Sequence, residues 1–420
     1  MDDFQTLQDC QSLTTEERLE AYLDGLGEVL RHQKKRANFA VYALGLMGSA
    51  DRKSMEPIAV QHCPHPEKAS AAHQQLLHFV STSHWDDHEV RLFSARYAIE
   101  AMSRRSPVQT WIIDDTGFLK KGRHSVGVQR QYTGSAGKVA NCQVGVSLVV
   151  ANRESHMPVD FELYLPESWA NDSKRRKEAK IPAETVFRTK PQIALDLIER
   201  ARKDQLPGQV VLADSAYGDS SEFRAGIRML GLDYAVGIHR STKVYAFDEH
   251  GQIEGEATSA QQLATGLGES AFRRFTWREG TVGKLFARFA FVRVVAAHDD
   301  GSALASREPL WLIVEWPSNE AAPSKFSLAT LPETMAKREM VRILKERYRT
   351  EKAYEEMKSG LGLDHFEGRR FGGWHHHIST VIACYAFVVA ERVRSFPPEP
   401  VDQGRKAYDD EEEGSFESAA

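Results

Sequence analysis

Cysteine is scarce in this 420-residue sequence: Cys10, Cys63, Cys142 and Cys384 lie far apart, with no CxxC pair. That spacing excludes a disulfide framework and points to free thiols in a reducing compartment. No apolar run reaches 18 residues, so no membrane span is expected. The opening Met1-Asp-Asp-Phe-Gln lacks the basic and apolar segments of a secretory signal. A cytoplasmic location is expected. Histidine groups in His62-Cys63-Pro64-His65 and His375-His376-His377, but Pro64 interrupts the first and adjacent side chains diverge on a helix in the second. Neither is expected to ligate metal.

An excess of positive charge is also missing, since the formal net charge is −5. From Ser395 to Ala420, however, eight acids face only Arg405 and Lys406, a net of −6, so residues 1–394 carry +1. The acidic end, with Pro397, Pro398 and Pro400, reads as a disordered tail. Overall acidity therefore excludes no nucleic-acid partner, because local clusters of Lys and Arg decide that question.

Five segments are expected along the chain. Residues 1–106 carry helical spacing (Leu19, Tyr22, Leu23, Leu26, Leu30, then Ala40, Leu44, Met47, then Leu76, Leu77, Val80) and read as a helical N-terminal DNA-binding domain, with Lys34, Lys35 and Arg36 as its densest basic cluster. Residues 107–239 open on strand-like runs at 110–114, 141–151 and 157–165. A helix over 191–203, a strand at 210–213, a helix over 222–230 and a strand at 234–238 follow. The order βββαβαβ is that of a ribonuclease-H-like core, an α/β fold with a mixed sheet flanked by helices. Residues 240–332 are β-rich and read as an inserted β subdomain. Residues 333–394 return to helix and complete the core, and 395–420 form the acidic tail.

Three carboxylates stand out against this organisation. Asp114 in Trp111-Ile-Ile-Asp-Asp-Thr-Gly117 and Asp214 in Val210-Val-Leu-Ala-Asp-Ser-Ala-Tyr217 each close an apolar strand. In a ribonuclease-H-like core the first and fourth strands pair, which sets these two acids side by side. Glu351 lies in the helical segment after the insertion, where Leu344, Arg347, Glu351 and Lys358 fall at offsets that share one helix face. Three carboxylates at one sheet edge repel each other unless cations neutralise them, and magnesium or manganese is the hard, oxygen-preferring ion such a set selects. Two ions per site would serve an in-line phosphoryl transfer. Asp115 is the rival of Asp114, because strand alternation lets only one of the pair face the site. Lys174-Arg-Arg-Lys177, in a loop after Trp169, is a candidate for contact with a DNA backbone through Lys174, Arg175 and Arg176.

The segments Ile112-Ile-Asp-Asp-Thr-Gly-Phe-Leu-Lys-Lys-Gly122, Gln131-Tyr-Thr-Gly134, Lys138-Val-Ala-Asn-Cys-Gln143, Tyr164-Leu-Pro-Glu-Ser-Trp169, Arg188-Thr-Lys-Pro191, Ala213-Asp-Ser-Ala-Tyr-Gly218 and Gly362-Leu-Asp-His-Phe-Glu-Gly-Arg369 resemble bacterial insertion-sequence transposases of the 701 family. These belong to the wider DDE group with an inserted β domain, and the likeness runs from about residue 20 to 392. It implies a bacterial, nucleoid-associated enzyme that cuts transposon inverted-repeat ends and joins them to target DNA with divalent metal, Mg2+ or Mn2+. The triad then falls on Asp114, Asp214 and Glu351, with Asp114 preferred over Asp115 because Thr116 stands two positions on. Arg347, Arg349 and Lys358 are implied near DNA, although the wider group's Tyr is replaced here by Leu344. The resemblance further implies an aromatic residue that stacks on a flipped base, with Phe326 and Trp316 the candidates, and a homodimer when two ends are synapsed. A nuclease without strand transfer and a domesticated, non-catalytic DNA-binding regulator are the competing readings.

Overall fold

The apolar residues ahead of Asp114 form the central strand of the sheet. In the computed structural model, which describes residues 13–248, 250–280, 283–297 and 307–395, β1 (Thr110–Leu119) pairs antiparallel with β3 (Lys138–Ala151) and parallel with β5 (Val210–Ala213). Outside these, β4 (His156–Tyr164) pairs antiparallel with β3, and β6 (Asp233–Ile238) pairs parallel with β5. Trp111, Ile112, Val149, Val150, Val211 and Leu212 are all buried, as strands covered on both faces require. The order β4-β3-β1-β5-β6 is the ribonuclease-H-like arrangement expected from the sequence. One addition is β2 (Gln129–Thr133), a short strand that makes a hairpin with the start of β3. Its polar, glycine-flanked sequence carries no apolar alternation to announce it.

The β-rich stretch extends the core sheet. It contributes β7 (Lys243–Phe247), β8 (Ile253–Ser259), β9 (Arg273–Gly280), β10 (Gly283–Ala296), β11 (Leu310–Pro317) and β12 (Lys325–Ala329). Because β12 runs antiparallel to β6, the sheet continues through β12, β11, β10, β7 and β8.

Helices cover the faces. The Lys190–Lys203 helix begins at a capping box in which Thr189 and Gln192 satisfy each other's backbone amides. The long Phe371–Ser395 helix is buried along most of its length, and helices from the first hundred residues pack on it. Tyr22 donates its hydroxyl to the Ala383 carbonyl at 2.8 Å, and the Tyr42 hydroxyl meets His377 Nδ1 at 2.8 Å. His376 stacks on Trp85 with ring centroids 3.9 Å apart, and His375 Nδ1 lies 3.1 Å from the Phe371 carbonyl. These helices and one face of the sheet share a single apolar core. Among the described residues no helix is long and apolar enough to cross a membrane, and Cys63, Cys142 and Cys384 are free thiols. Cys10 and the acidic segment beyond Ser395 lie outside the described residues.

The helical segment after the insertion is not continuous. It divides into Lys337–Lys345 and Tyr348–Leu361, with Arg347 at the N-cap of the second helix. Leu344 therefore belongs to the first helix, where it packs on the apolar cluster beneath β10 and β11, and only Arg347, Glu351 and Lys358 remain together. Glu346 lies at the break, buried, and accepts from Arg342 Nη1 at 2.9 Å and from Arg349 Nε.

Candidate active site

Strand register brings the two aspartates together. The β1–β5 pairing runs Thr110 with Val210, Trp111 with Val211 and Ile112 with Leu212. Continuing that register past Ile113 and Ala213 brings Asp114 level with Asp214, where β5 ends and the Asp214 carboxylate turns to cap the next short helix through the Ala216 amide at 2.9 Å. Alternation along β1 then assigns the faces. Asp114 shares a face with its β3 partner Ser147, whose hydroxyl lies 2.6 Å from the buried Tyr354 hydroxyl on the Glu351 helix.

Asp115 points to the opposite face. Its Oδ2 accepts from Lys190 Nζ at 3.0 Å and from the Tyr217 hydroxyl at 3.0 Å. Lys190 and Tyr217 are neighbours of the candidate site that sequence reasoning did not single out. The Tyr217 of Asp-Ser-Ala-Tyr-Gly has its explanation here, as a lock between the segment after Asp214 and the strand carrying Asp114.

Arg347 bridges the remaining parts. It donates from Nη1 to Asp114 Oδ2 at 2.7 Å and from Nη2 to Glu351 Oε1 at 3.3 Å. Burial pushes the Asp114 carboxyl up, Arg347 pulls it down and Asp214 pushes it up again, leaving it at about 7. A carboxyl so far above the ordinary range of about 3.9 is one whose charge a single half-exposed guanidinium does not balance. Among the described residues no three His, Cys, Asp or Glu are gathered closely enough to chelate an ion as they stand. The donor set is nonetheless all oxygen, electrostatically undercompensated, and joined by a side-chain cation between Asp114 and Glu351. It fits a hard divalent cation.

Lys358 completes the edge. Its amine donates to Thr116 Oγ1 at 2.8 Å, to the Gly117 carbonyl at 3.0 Å and to Ser135 Oγ at 3.0 Å. All three donors are thus engaged within the protein.

Several expected DNA contacts fall elsewhere. Arg349 is buried, with Nε on Glu346 and Nη2 on the Arg153 carbonyl, and offers no face to DNA. Residues 173–179 form a helix capped by Asp172, not a loop. Within it Arg176 points inward onto four backbone carbonyls, those of Ala170, Pro182, Ala183 and Thr185, whereas Lys174 is exposed and Arg175 lies over the Trp169 ring at 5.0 Å. In the N-terminal cluster Lys34 is exposed, Lys35 reaches the His84 carbonyl and Arg36 pairs with Glu28 at 2.6 Å. Phe326 and Trp316, expected to meet a flipped base, are both buried. Trp316 packs edge-on to Phe272 beneath the Arg288 guanidinium and donates to the Glu320 carbonyl at 2.9 Å. These two rings fill the core of the inserted strands because they sit on strands paired on both sides.

The chain is similar to known proteins over much of its length. A family described as transposase DDE domain matches residues 188–387. A probable transposase for insertion sequence element IS701 from Microchaete diplosiphon is 34% identical over 166 residues, which cover 39% of this chain and 40% of that protein. The aligned region thus spans well under half of the relative's length. A broader match covers residues 25–284, more than half of the sequence, and by it the chain belongs to the DDE superfamily endonuclease family.

Proposed function

We propose that the protein is a DNA transposase that cleaves DNA at inverted-repeat ends and transfers the freed strands to target DNA. The observation that supports it best is the β1–β5 register, which levels Asp114 with Asp214 while Arg347 ties Glu351 to the same edge. Asp114, Asp214 and Glu351 are assigned as the residues that hold two divalent ions, Mg2+ or Mn2+. Such ions, when bound, activate the attacking oxygen and stabilise the leaving one. Arg347, now on Asp114, and Lys358, now on Ser135, are assigned to DNA phosphates, which they would reach by exchanging those partners. Asp115, held by Lys190 and Tyr217, keeps β1 in place from behind.

The domain assignment belongs to the same proposal. Residues 1–106 contribute DNA contacts through Lys34, residues 107–239 and 333–394 the reacting edge, and 240–332 an extension of the sheet. Synapsis of two ends calls for a homodimer.

Incubation of the full chain with Mg2+ and DNA carrying the sequences that flank its coding region tests the reading. Cleavage followed by joining, both lost in Asp214→Ala with binding retained, is the expected result. Cleavage without joining would assign a nuclease, and binding that never leads to cleavage would assign a regulator.

A further inference from the structure

Phe326 and Trp316 are buried, yet an exposed aromatic does stand beside the reacting edge. Tyr132 is 65% exposed and Val139, its cross-strand partner in the β2–β3 hairpin, is 52% exposed. Arg130 lies two residues before Tyr132 on the same face, and it too is exposed.

The tip of this hairpin is seated on β1 next to the carboxylates. The Gly117 amide donates to Ser135 Oγ at 3.3 Å, and Ser135 Oγ lies 3.2 Å from Thr116 Oγ1. A Cβ at Gly117 would fall 1.9 Å from Thr133 Oγ1, so only glycine permits the approach. Gly117 is three residues beyond Asp114, which places the tip roughly 10 Å from that carboxylate along the strand. The other end is fixed as well. Trp169 Nε1 donates to the Val128 carbonyl at 2.8 Å and Asn141 Nδ2 to the Lys120 and Gly122 carbonyls at 2.7 and 2.9 Å.

Charge along the segment is one-sided. Between Asp115 and Glu154 the sequence contains no Asp or Glu, in a chain with 59 acids among 420 residues. The same stretch carries Lys120, Lys121, Arg123, Arg130, Lys138 and Arg153. The Lys120 amine is engaged by the Phe366 carbonyl and Arg153 by Glu339. Lys121, Arg123, Arg130 and Lys138 are exposed, and their side chains have no hydrogen-bond or ion-pair partner among the described residues.

We infer that this hairpin is a DNA-binding surface that guides the strand to be cut: Arg130 holds a phosphate and Tyr132, on the same face, stacks on an unpaired base. The inference rests on the transposase reading for its ligand. An exposed ring beside an unpaired cation is what a base and its backbone require together, since stacking and phosphate contact act on adjacent parts of one strand. An acidic peptide would use the cations and leave the ring unexplained.

The test uses the full chain, in EDTA to prevent cleavage, with a short mixed-sequence duplex bearing a single-stranded 3′ overhang and the same duplex with blunt ends. Removing one phosphate contact in Arg130→Ala is expected to reduce the slope of log affinity against log salt by about 0.9. Tyr132→Ala is expected to weaken binding of the overhang duplex about fivefold or more and of the blunt duplex less, with Tyr132→Trp restoring it and Tyr132→Leu not. An unchanged salt slope, or Tyr132→Trp as weak as Tyr132→Ala, overturns the inference. These side chains are exposed and make no hydrogen bond or ion pair among the described residues, so the variants are expected to keep the wild-type thermal midpoint within a few degrees. Tight binding by a wild type that never cleaves with Mg2+ would overturn the transposase reading and leave the hairpin standing. Failure to bind either duplex would overturn both.

Discussion

Two adjacent aspartates on one strand separate into different roles because a strand alternates. Asp114 faces Arg347 and the Glu351 helix, whereas Asp115 faces Lys190 and Tyr217. Replacing Asp114 with Asn removes a proposed metal ligand and is expected to lower the cleavage rate about a thousandfold or more. Asp115→Asn leaves the ligand set intact and loosens its support, an effect of about tenfold. Single-turnover cleavage of labelled DNA distinguishes the two, and equal losses would show that both side chains hold metal. A purely structural residue provides the contrast. Arg91 is buried between Asp87 and Asp160 and reaches Ser379 Oγ at 2.6 Å. Arg91→Leu leaves both carboxylates without that partner and is expected to cost about 3 kcal/mol or more in urea unfolding.

Elements differ in how much of them the sequence reveals. The strands carrying Asp114 and Asp214 were legible because continuous apolar runs such as Trp111-Ile-Ile and Val210-Val-Leu-Ala are what doubly covered strands need. Register alone then makes the acids neighbours. The break before the Glu351 helix was not legible. Glu346 is tied to Arg342 four residues before it and to Arg349 three after it, both spacings that an unbroken helix also uses. Nor was the β2–β3 hairpin, whose signal is the absence of acids and not the presence of a motif. At the far end of the same helix Gly362 adopts a left-handed φ of 66°, and a Cβ there would lie 2.8 Å from Lys53 Cβ. Gly362→Ala is expected to cost roughly 1–2 kcal/mol from backbone strain alone. The loss should appear in urea unfolding, and an undiminished stability would mean that the helix ends in another way.

Across the whole molecule, buried histidines and the half-buried Asp114 carboxyl oppose each other as pH changes. Burial holds His377 down to about 4 and, with Arg349 adding to it, His156 down to about 3. Both are neutral in the folded protein, while an unfolded chain protonates them near 6.5. The unfolded state therefore binds more protons below that value, and stability falls as pH drops from 6.5 towards 4, by about 2 kcal/mol per histidine at pH 5. Asp114 works the other way. Burial raises it to about 7, so its ionisation in the folded, metal-free protein is disfavoured above the unfolded value near 3.9, and that cost lessens as pH falls from 7. The Asp114 effect offsets only somewhat more than half of the histidine loss between pH 7 and 5, and wild-type protein in EDTA is expected to lose about 1.5 kcal/mol of unfolding free energy there. Asp114→Asn removes only the second. That variant is expected to be more stable than wild type at pH 7, and to lose about 4 kcal/mol on going to pH 5, because the histidines are then unopposed. A variant less stable than wild type at pH 7 would mean that the Arg347 contact outweighs burial at Asp114. The expected gain would instead identify the charge at Asp114 as a cost to the metal-free fold, one that the proposed divalent cation would relieve.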